Sequence, residues 1–233
     1  MSAHFTRRGF AEGFMEGVAL LPGMIAFGIV FGVLAHDVGL SLFAAGAMSF
    51  FVFAGTAQLL ALHGWGSADL LVGATVAVLA MNARYILFGA AIQPWMRGLS
   101  PAIAYPSLFL LVDANWAAAM RDRAAGRDDV GVFVGMGIAF VIGWLAGTLA
   151  GVAFGGLLGD PRRLGLDFFL PAFFLSLACG FWRGRGSLLP FIVGGAVALL
   201  FERFVGGSWH VLAGGIVGSL AAMFTSGSPR HAR

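Results

Sequence analysis

The sequence contains no lysine, and all 14 of its basic residues are arginine, set against 11 acids. The net charge of +3 therefore does not describe a lysine-studded surface of the kind that binds nucleic acid, and no nucleic-acid partner is expected; it describes arginines held in short connectors. Charged residues make up only 11% of the chain, where a soluble domain carries roughly 25%. One cysteine, Cys179, excludes an intrachain disulfide. No H-E-x-x-H, G-x-S-x-G or Walker A pattern occurs, so zinc-peptidase, serine-hydrolase and nucleotide-driven chemistry lack their residues. The chain is not expected to be an enzyme, and neither a cofactor nor a metal is expected. If it moves a solute, a gradient must drive it.

Hydrophobic residues are plentiful, at 59%, with a mean hydropathy of +0.90. The 36 glycines are costly in soluble helices, but membrane helices use them for close backbone approach. These features predict an all-α, polytopic membrane protein in a single domain over residues 1–233. Nearly uncharged runs at 17–35, 38–62, 70–92, 98–120, 130–158, 167–182, 187–201 and 208–225 predict about eight transmembrane helices. The opening "TRRGFAE" mimics a twin-arginine leader, yet the spans that follow favour a cytoplasmic lead-in before a first span.

Arginine placement orients the chain. With both termini cytoplasmic, eight spans put Arg7, Arg8, Arg121, Arg123, Arg127, Arg183, Arg185, Arg230 and Arg233 inside. Arg97, Arg162, Arg163 and Arg203 fall outside, a bias that agrees with the positive-inside rule. A re-entrant hairpin around Arg183–Gly186, in place of two spans over 167–201, would move Arg183 and Arg185 outside and shrink that bias to seven against six. Pro22 and Pro171 occupy matching early positions five helices apart, which suggests an inverted-topology repeat.

Four places carry chemistry. Arg84 stands three residues past the midpoint of 70–92, with Asn82 just before it. A charge at that depth costs about 2.5–3.5 kcal/mol on insertion scales, so it needs a partner. Asp113, with Asn115 beside it in 98–120, is the one acid well inside a span and is a candidate for that pairing and for proton or ion coupling. Alternating spans, however, set Arg84 and Asp113 about 10 Å apart along the membrane normal, at 1.5 Å per residue. In 38–62, Thr56 and Gln58 follow Gly55 in an apolar field, where a glycine-opened backbone and an amide can meet a small zwitterion. Finally, Gly131, Gly135, Ala139, Gly143, Gly147, Gly151 and Gly155 recur every four residues. This stripe fits either intrachain packing or a subunit interface. Glu12, Glu16, Asp167 and His210 sit near helix ends, where capping and snorkelling account for them.

The segments "PGMIAFGIVFGVLAHDVGLS", "MSFFVFAGTAQ", "MNARYILFGAA" and "LGLDFFLPAFF", in that order, resemble the AzlC-type branched-chain amino acid permeases, over about Gly13 to Phe224. The resemblance implies the large subunit of a bacterial inner-membrane exporter of leucine, isoleucine and valine, with a small AzlD-type membrane partner. It carries over to Gly55 and Gln58, Asn82 and Arg84, and Asp167 and Pro171. Many relatives hold an Asp-Glu pair in the fourth span, where Ala114 follows Asp113 here. With the resemblance counted, the expected substrate-binding set is Gly55, Thr56, Gln58, Asn82 and Arg84, with Asp113 and Asn115 for coupling. On this reading Arg84 meets the substrate carboxylate; the alternative is a permanent pair with Asp113. A carrier or channel for another small zwitterion or anion is the competing function.

Overall fold

The computed structural model describes residues 4–63, 82–157, 184–205 and 209–225, with scattered positions between them. Among these residues the structure is helical, with no strand beyond one isolated bridge between His4 and Asp129. The described residues fall into two compact units, one holding 4–62 and 82–157 and the other 184–205 and 209–225.

In the first unit, α1 (Arg7–Asp37) and α7 (Val130–Gly155) are the two described helices long and apolar enough to cross a bilayer, at 31 and 26 residues. Their starts are tied together. Asp129 caps α7 by accepting from Gly131 N at 2.8 Å, and the same carboxylate accepts from Thr6 N at 3.1 Å and from the Thr6 hydroxyl. The Thr6 oxygen in turn caps α1 by accepting from Gly9 N at 2.9 Å.

From there the two helices run parallel. A Cβ on Gly147 would lie 3.0 Å from Gly28 Cα, and one on Gly151 would lie 2.9 Å from Gly32 Cα, so backbone meets backbone in matching order. The glycine stripe is thus an intrachain interface, filled by α1.

Between them in sequence lie α2 (Leu42–Val52), α3 (Gly55–His63), α4 (Arg84–Met96), α5 (Pro101–Phe109) and α6 (Asp113–Ala124). The expected helix over 38–62 is broken at Phe53–Ala54, where Phe53 takes the left-handed conformation, φ 42° and ψ 41°. Gln58 Nε2 donates to Ser49 Oγ at 3.2 Å across this break. Nine residues along a straight helix would separate those Cα atoms by about 13.5 Å, beyond the reach of the side chains. The chain therefore bends sharply, and α3 does not prolong α2.

The expected span over 98–120 is also not one helix. Ile92, Trp95 and Met96 near the end of α4 pack with Ala119 of α6 and with Val130 and Phe133 at the start of α7. From that end α5 rises, with proline at its first turn, until Leu110 meets Gly137 of α7; a Cβ built on Gly137 would be 2.6 Å from Leu110 Cβ. The chain turns over Leu110–Val112, and α6 descends to Ala119 and the Val130 end. So α5 and α6 form a hairpin with both feet at one end of α7. Asn115 builds the turn: its Oδ1 accepts from Val112 N at 2.8 Å and its Nδ2 donates to Leu110 O at 2.7 Å. Two corrections follow. The segment 98–120 does not run from one end of α7 to the other, and Arg97 lies at the same end as Arg7, Arg8, Arg121, Arg123 and Arg127 rather than opposite them.

In the second unit, α8 (Leu188–Phe204) and α9 (Trp209–Thr225) match the expected helices at 187–201 and 208–225. They pack antiparallel through small residues: Gly194 against Gly214 and Gly218, and Gly214 against Ala198. Asp167 and Pro171 lie outside the described residues, and with them most of the run 167–182, which would open the second half of the suggested repeat.

Candidate functional site

Three places in the chain meet in the first unit: the first residues of α4, the hairpin turn before α6, and the break between α2 and α3. Arg84 begins α4 and Asp113 begins α6. Both helices run toward the Val130 end, so their starts share one level and Arg84 Nη2 reaches Asp113 Oδ2 at 3.0 Å. The depth mismatch expected from alternating spans disappears because the hairpin sets α6 parallel to α4. Phe88 stacks on Trp116 one turn further along, ring centroids 4.3 Å apart, and holds this register. Asp113 also stands in the first turn of α6, where the helix dipole favours a carboxylate.

Arg84 is not fully used by this pair. Its Nε is buried without a hydrogen-bond partner among the described residues, and so is Asn82 Oδ1. The guanidinium lies 5.2 Å from the centre of the Tyr85 ring. Asn82 and Tyr85, which flank Arg84 in the chain, wall a cavity of about 260 Å³ together with Phe53 and Ala54 at the break and Leu108, Phe109 and Leu111 at the hairpin. That is below the ~300–1,000 Å³ usual for drug-sized ligands and suits a small solute. Gly55 opens α3 directly after Ala54, packed so closely on Trp144 that a Cβ would sit 2.7 Å from the ring. Backbone bonding in α3 starts with Gln58 N donating to Ala54 O, so the N–H groups of Gly55 and Thr56 precede it and carry the positive end of the helix dipole.

Of the residues singled out from sequence, Arg84 and Asp113 pair with Asn82 close by in the chain, while Gly55 packs on Trp144 directly after Ala54 of the cavity wall. Thr56 and Gln58 are buried. Gln58 is tied toward α7 through Ser49, whose hydroxyl meets Thr148 Oγ1 at 2.9 Å, while Gln58 Oε1 is buried without a hydrogen-bond partner among the described residues. Asn115 spends both its amide groups on the hairpin turn.

Ser49, Thr148, Tyr85 and Phe109 were not anticipated. Ser49 and Thr148 are hydroxyls inside apolar runs, a signal that was present. Phe109 is one of 23 phenylalanines, and nothing in the sequence marks it.

Two further hollows flank the site. An apolar one of about 420 Å³ lies between α5 and α7. An open cleft of about 670 Å³ runs along α6 from Ala114 to Arg121 and faces Glu16 and Leu20 of α1. Arg121 bridges to Glu16 at 3.4 Å there, and the buried Asp122 is held by Arg127 and by Arg121 at 3.5 Å. Asp122 also lifts the Arg127 guanidinium above its ordinary range.

Comparison with known proteins agrees with this picture of a membrane protein. The chain is 23% identical over 220 residues to "Branched-chain amino acid transport protein AzlC" of Bacillus subtilis, covering 91% of this chain and 85% of that protein. It is 28% identical over 232 residues to "Inner membrane protein YgaZ" of Escherichia coli, covering 94% and 93% respectively. It is also 28% identical over 213 residues to an uncharacterized membrane protein of Archaeoglobus fulgidus, covering 91% and 93%. No solved structure matches it. The profile of the AzlC protein family matches residues 19–158, which hold most of α1, all of α2 to α7 and every residue of the site, and the chain belongs to that family.

Proposed function

We propose that this protein is a gradient-driven secondary transporter that exports branched-chain or similar apolar amino acids across the bacterial inner membrane. The observation that carries the reading is the meeting of the α2–α3 break and the α5–α6 turn around the Arg84–Asp113 pair and a small cavity with both polar and apolar walls. Discontinuous helices whose polar ends converge inside the membrane are how secondary transporters bind small charged solutes. Arg84, with an unused Nε, receives the substrate carboxylate, and Asn82 Oδ1 accepts from its ammonium group. Gly55 and Thr56 offer the N-terminal end of α3, and Gln58 fixes that end through Ser49 and Thr148. Asp113, released from Arg84 when a carboxylate arrives, is the group that takes up the coupling proton or ion, on a turn shaped by Asn115. The similarity to the Bacillus subtilis protein supports the substrate class, and a small AzlD-type subunit is the expected partner.

We infer the membrane arrangement from parity. Parallel crossing by α1 and α7 requires an odd number of crossings between them. Of the three apolar segments there, the α5–α6 hairpin removes one, so a second must also return, and the bend at Phe53–Ala54 makes α2–α3 that segment. Eight apolar segments then give six crossings and two hairpins in one transporter domain, with both termini cytoplasmic. Arg97 joins the cytoplasmic arginines and strengthens their excess.

The test is counterflow in proteoliposomes loaded with unlabelled leucine, with and without the small partner. Transient accumulation of labelled leucine, lost in Arg84→Gln, is expected. Equilibration without overshoot would make the protein a channel. No leucine movement, with overshoot for another small zwitterion or anion, would move the substrate class.

A further inference from the structure

Phe109, the last residue of α5, lies on the wall of two cavities with opposite chemistry. One is the 260 Å³ cavity that Asn82 and Tyr85 make partly polar. The other is the 420 Å³ hollow between α5 and α7. Ser107 brings the one polar side chain to that hollow, and its hydroxyl is already spent on the Ile103 carbonyl at 2.7 Å. The partition is a single aromatic layer. The Phe109 ring lies 6.4 Å from that of Phe53, stacked at 23°, and 5.6 Å from that of Phe50. Phe53 belongs to the polar cavity and Phe50 to the apolar one.

This division matches the two halves of an apolar amino acid. A zwitterionic head finds partners on the Arg84 side and none in the hollow, where leaving it unpaired is costly. An alkyl or aryl side chain meets the reverse. We propose that Phe109 determines substrate side-chain size: it floors the polar cavity at the length of a branched aliphatic chain and closes off an apolar hollow that a larger side chain would otherwise enter. This rests on the transporter reading above, with Arg84 as the head-group site. In an apolar pocket one methylene is worth roughly 10–200-fold in discrimination, so losing a whole ring should be plainly visible.

The experiment measures competition by phenylalanine against labelled leucine in counterflow, for wild type, Phe109→Ala and Phe109→Leu. Phe109→Ala should improve phenylalanine competition about tenfold relative to leucine, and Phe109→Leu by less. Adding Ile138→Phe, which fills the hollow from α7, should cancel the gain in the Phe109→Ala background and change nothing in wild type. A merely structural role for Phe109 would not produce that cancellation. If Phe109→Ala does not fold, Phe109→Leu carries the test, and an unchanged phenylalanine-to-leucine ratio in that folded variant overturns the proposal. A gain that survives Ile138→Phe overturns it as well. Absence of leucine counterflow in wild type would overturn the transporter reading itself, whereas intact leucine counterflow with unaltered competition removes only the role of Phe109.

Discussion

Replacing Arg84 by glutamine and Asp113 by asparagine, singly and together, separates what this pair does for the fold from the substrate contact proposed for Arg84. Unit charges 3.0 Å apart attract by about 1.4 kcal/mol in water and about 5.5 kcal/mol at an effective dielectric of 20. The side chains are 30% and 53% accessible, so neither limit applies, and desolvation offsets part of the attraction. Exposed pairs are worth about 0–1 kcal/mol, and breaking a buried pair costs about 3–5 kcal/mol. The expected coupling lies between, at about 1–3 kcal/mol. In detergent, thermal unfolding should therefore fall by several degrees for either single variant, at roughly 2–4 °C per kcal/mol for a chain of this size. The double variant, with no stranded charge, should lose less than the two singles combined. Leucine counterflow should be absent from Arg84→Gln and also from the double variant, because restored stability does not restore a carboxylate site. A coupling below about 0.5 kcal/mol would show that the pair does not hold α4 to α6. Leucine counterflow regained in the double variant would refute carboxylate binding by Arg84 and leave it as scaffold.

The remaining predictions concern the frame around that site. Gly151→Leu must force α1 from α7, since even a Cβ there would lie 2.9 Å from Gly32 Cα. A cost of about 3 kcal/mol or more is expected, seen as loss of monodisperse protein on size exclusion. Ser100→Cys in a Cys179→Ser background should react with a membrane-impermeant thiol reagent in inside-out vesicles and resist it in intact cells; the opposite pattern would defeat the hairpin topology. Asp129→Ala removes the α7 cap and the tie to Thr6 together, with an expected loss of about 1–2 kcal/mol. Adding Thr6→Ala should then cost little more, because the two side chains act as one unit.

The sequence made the ingredients of the site legible but not their assembly. Arg84, Asn82 and Asp113 stand out because polar side chains are rare in apolar runs, and the structure pairs Arg84 with Asp113. Their pairing was underestimated because hydropathy registers apolar length and carries no direction. The run 98–120 is apolar enough for a span, yet it holds two short helices and a turn. That turn depends on Asn115, whose hydrogen bonds go to backbone groups that no side-chain pattern displays. The same blindness put Arg97 at the wrong end. The glycine stripe gave its geometry but not its partner, since α1 carries Gly28 and Gly32 at a spacing that reads as ordinary membrane-helix composition. Ser49 and Thr148 fell between these cases: each was visible as a polar intruder, but only contact reveals them as one chain with Gln58.

The hairpin also bears on how the chain is built. Its arms are 9 and 12 residues long, each too short to be taken by the insertion machinery as a spanning helix. On the proposed membrane arrangement both feet stay on one face, so Arg97, Arg121, Arg123 and Arg127 need never be carried through the bilayer, and Asp113 travels only part of the way. The surface that receives the turn is Gly137, which the ribosome makes after the hairpin itself. The hairpin therefore has to wait for α7, and it can do so without exposing raw backbone, because Asn115 satisfies the groups of its own turn. On that arrangement, seating of this element is a late step of biogenesis, and the Arg84–Asp113 pair closes only when it is complete.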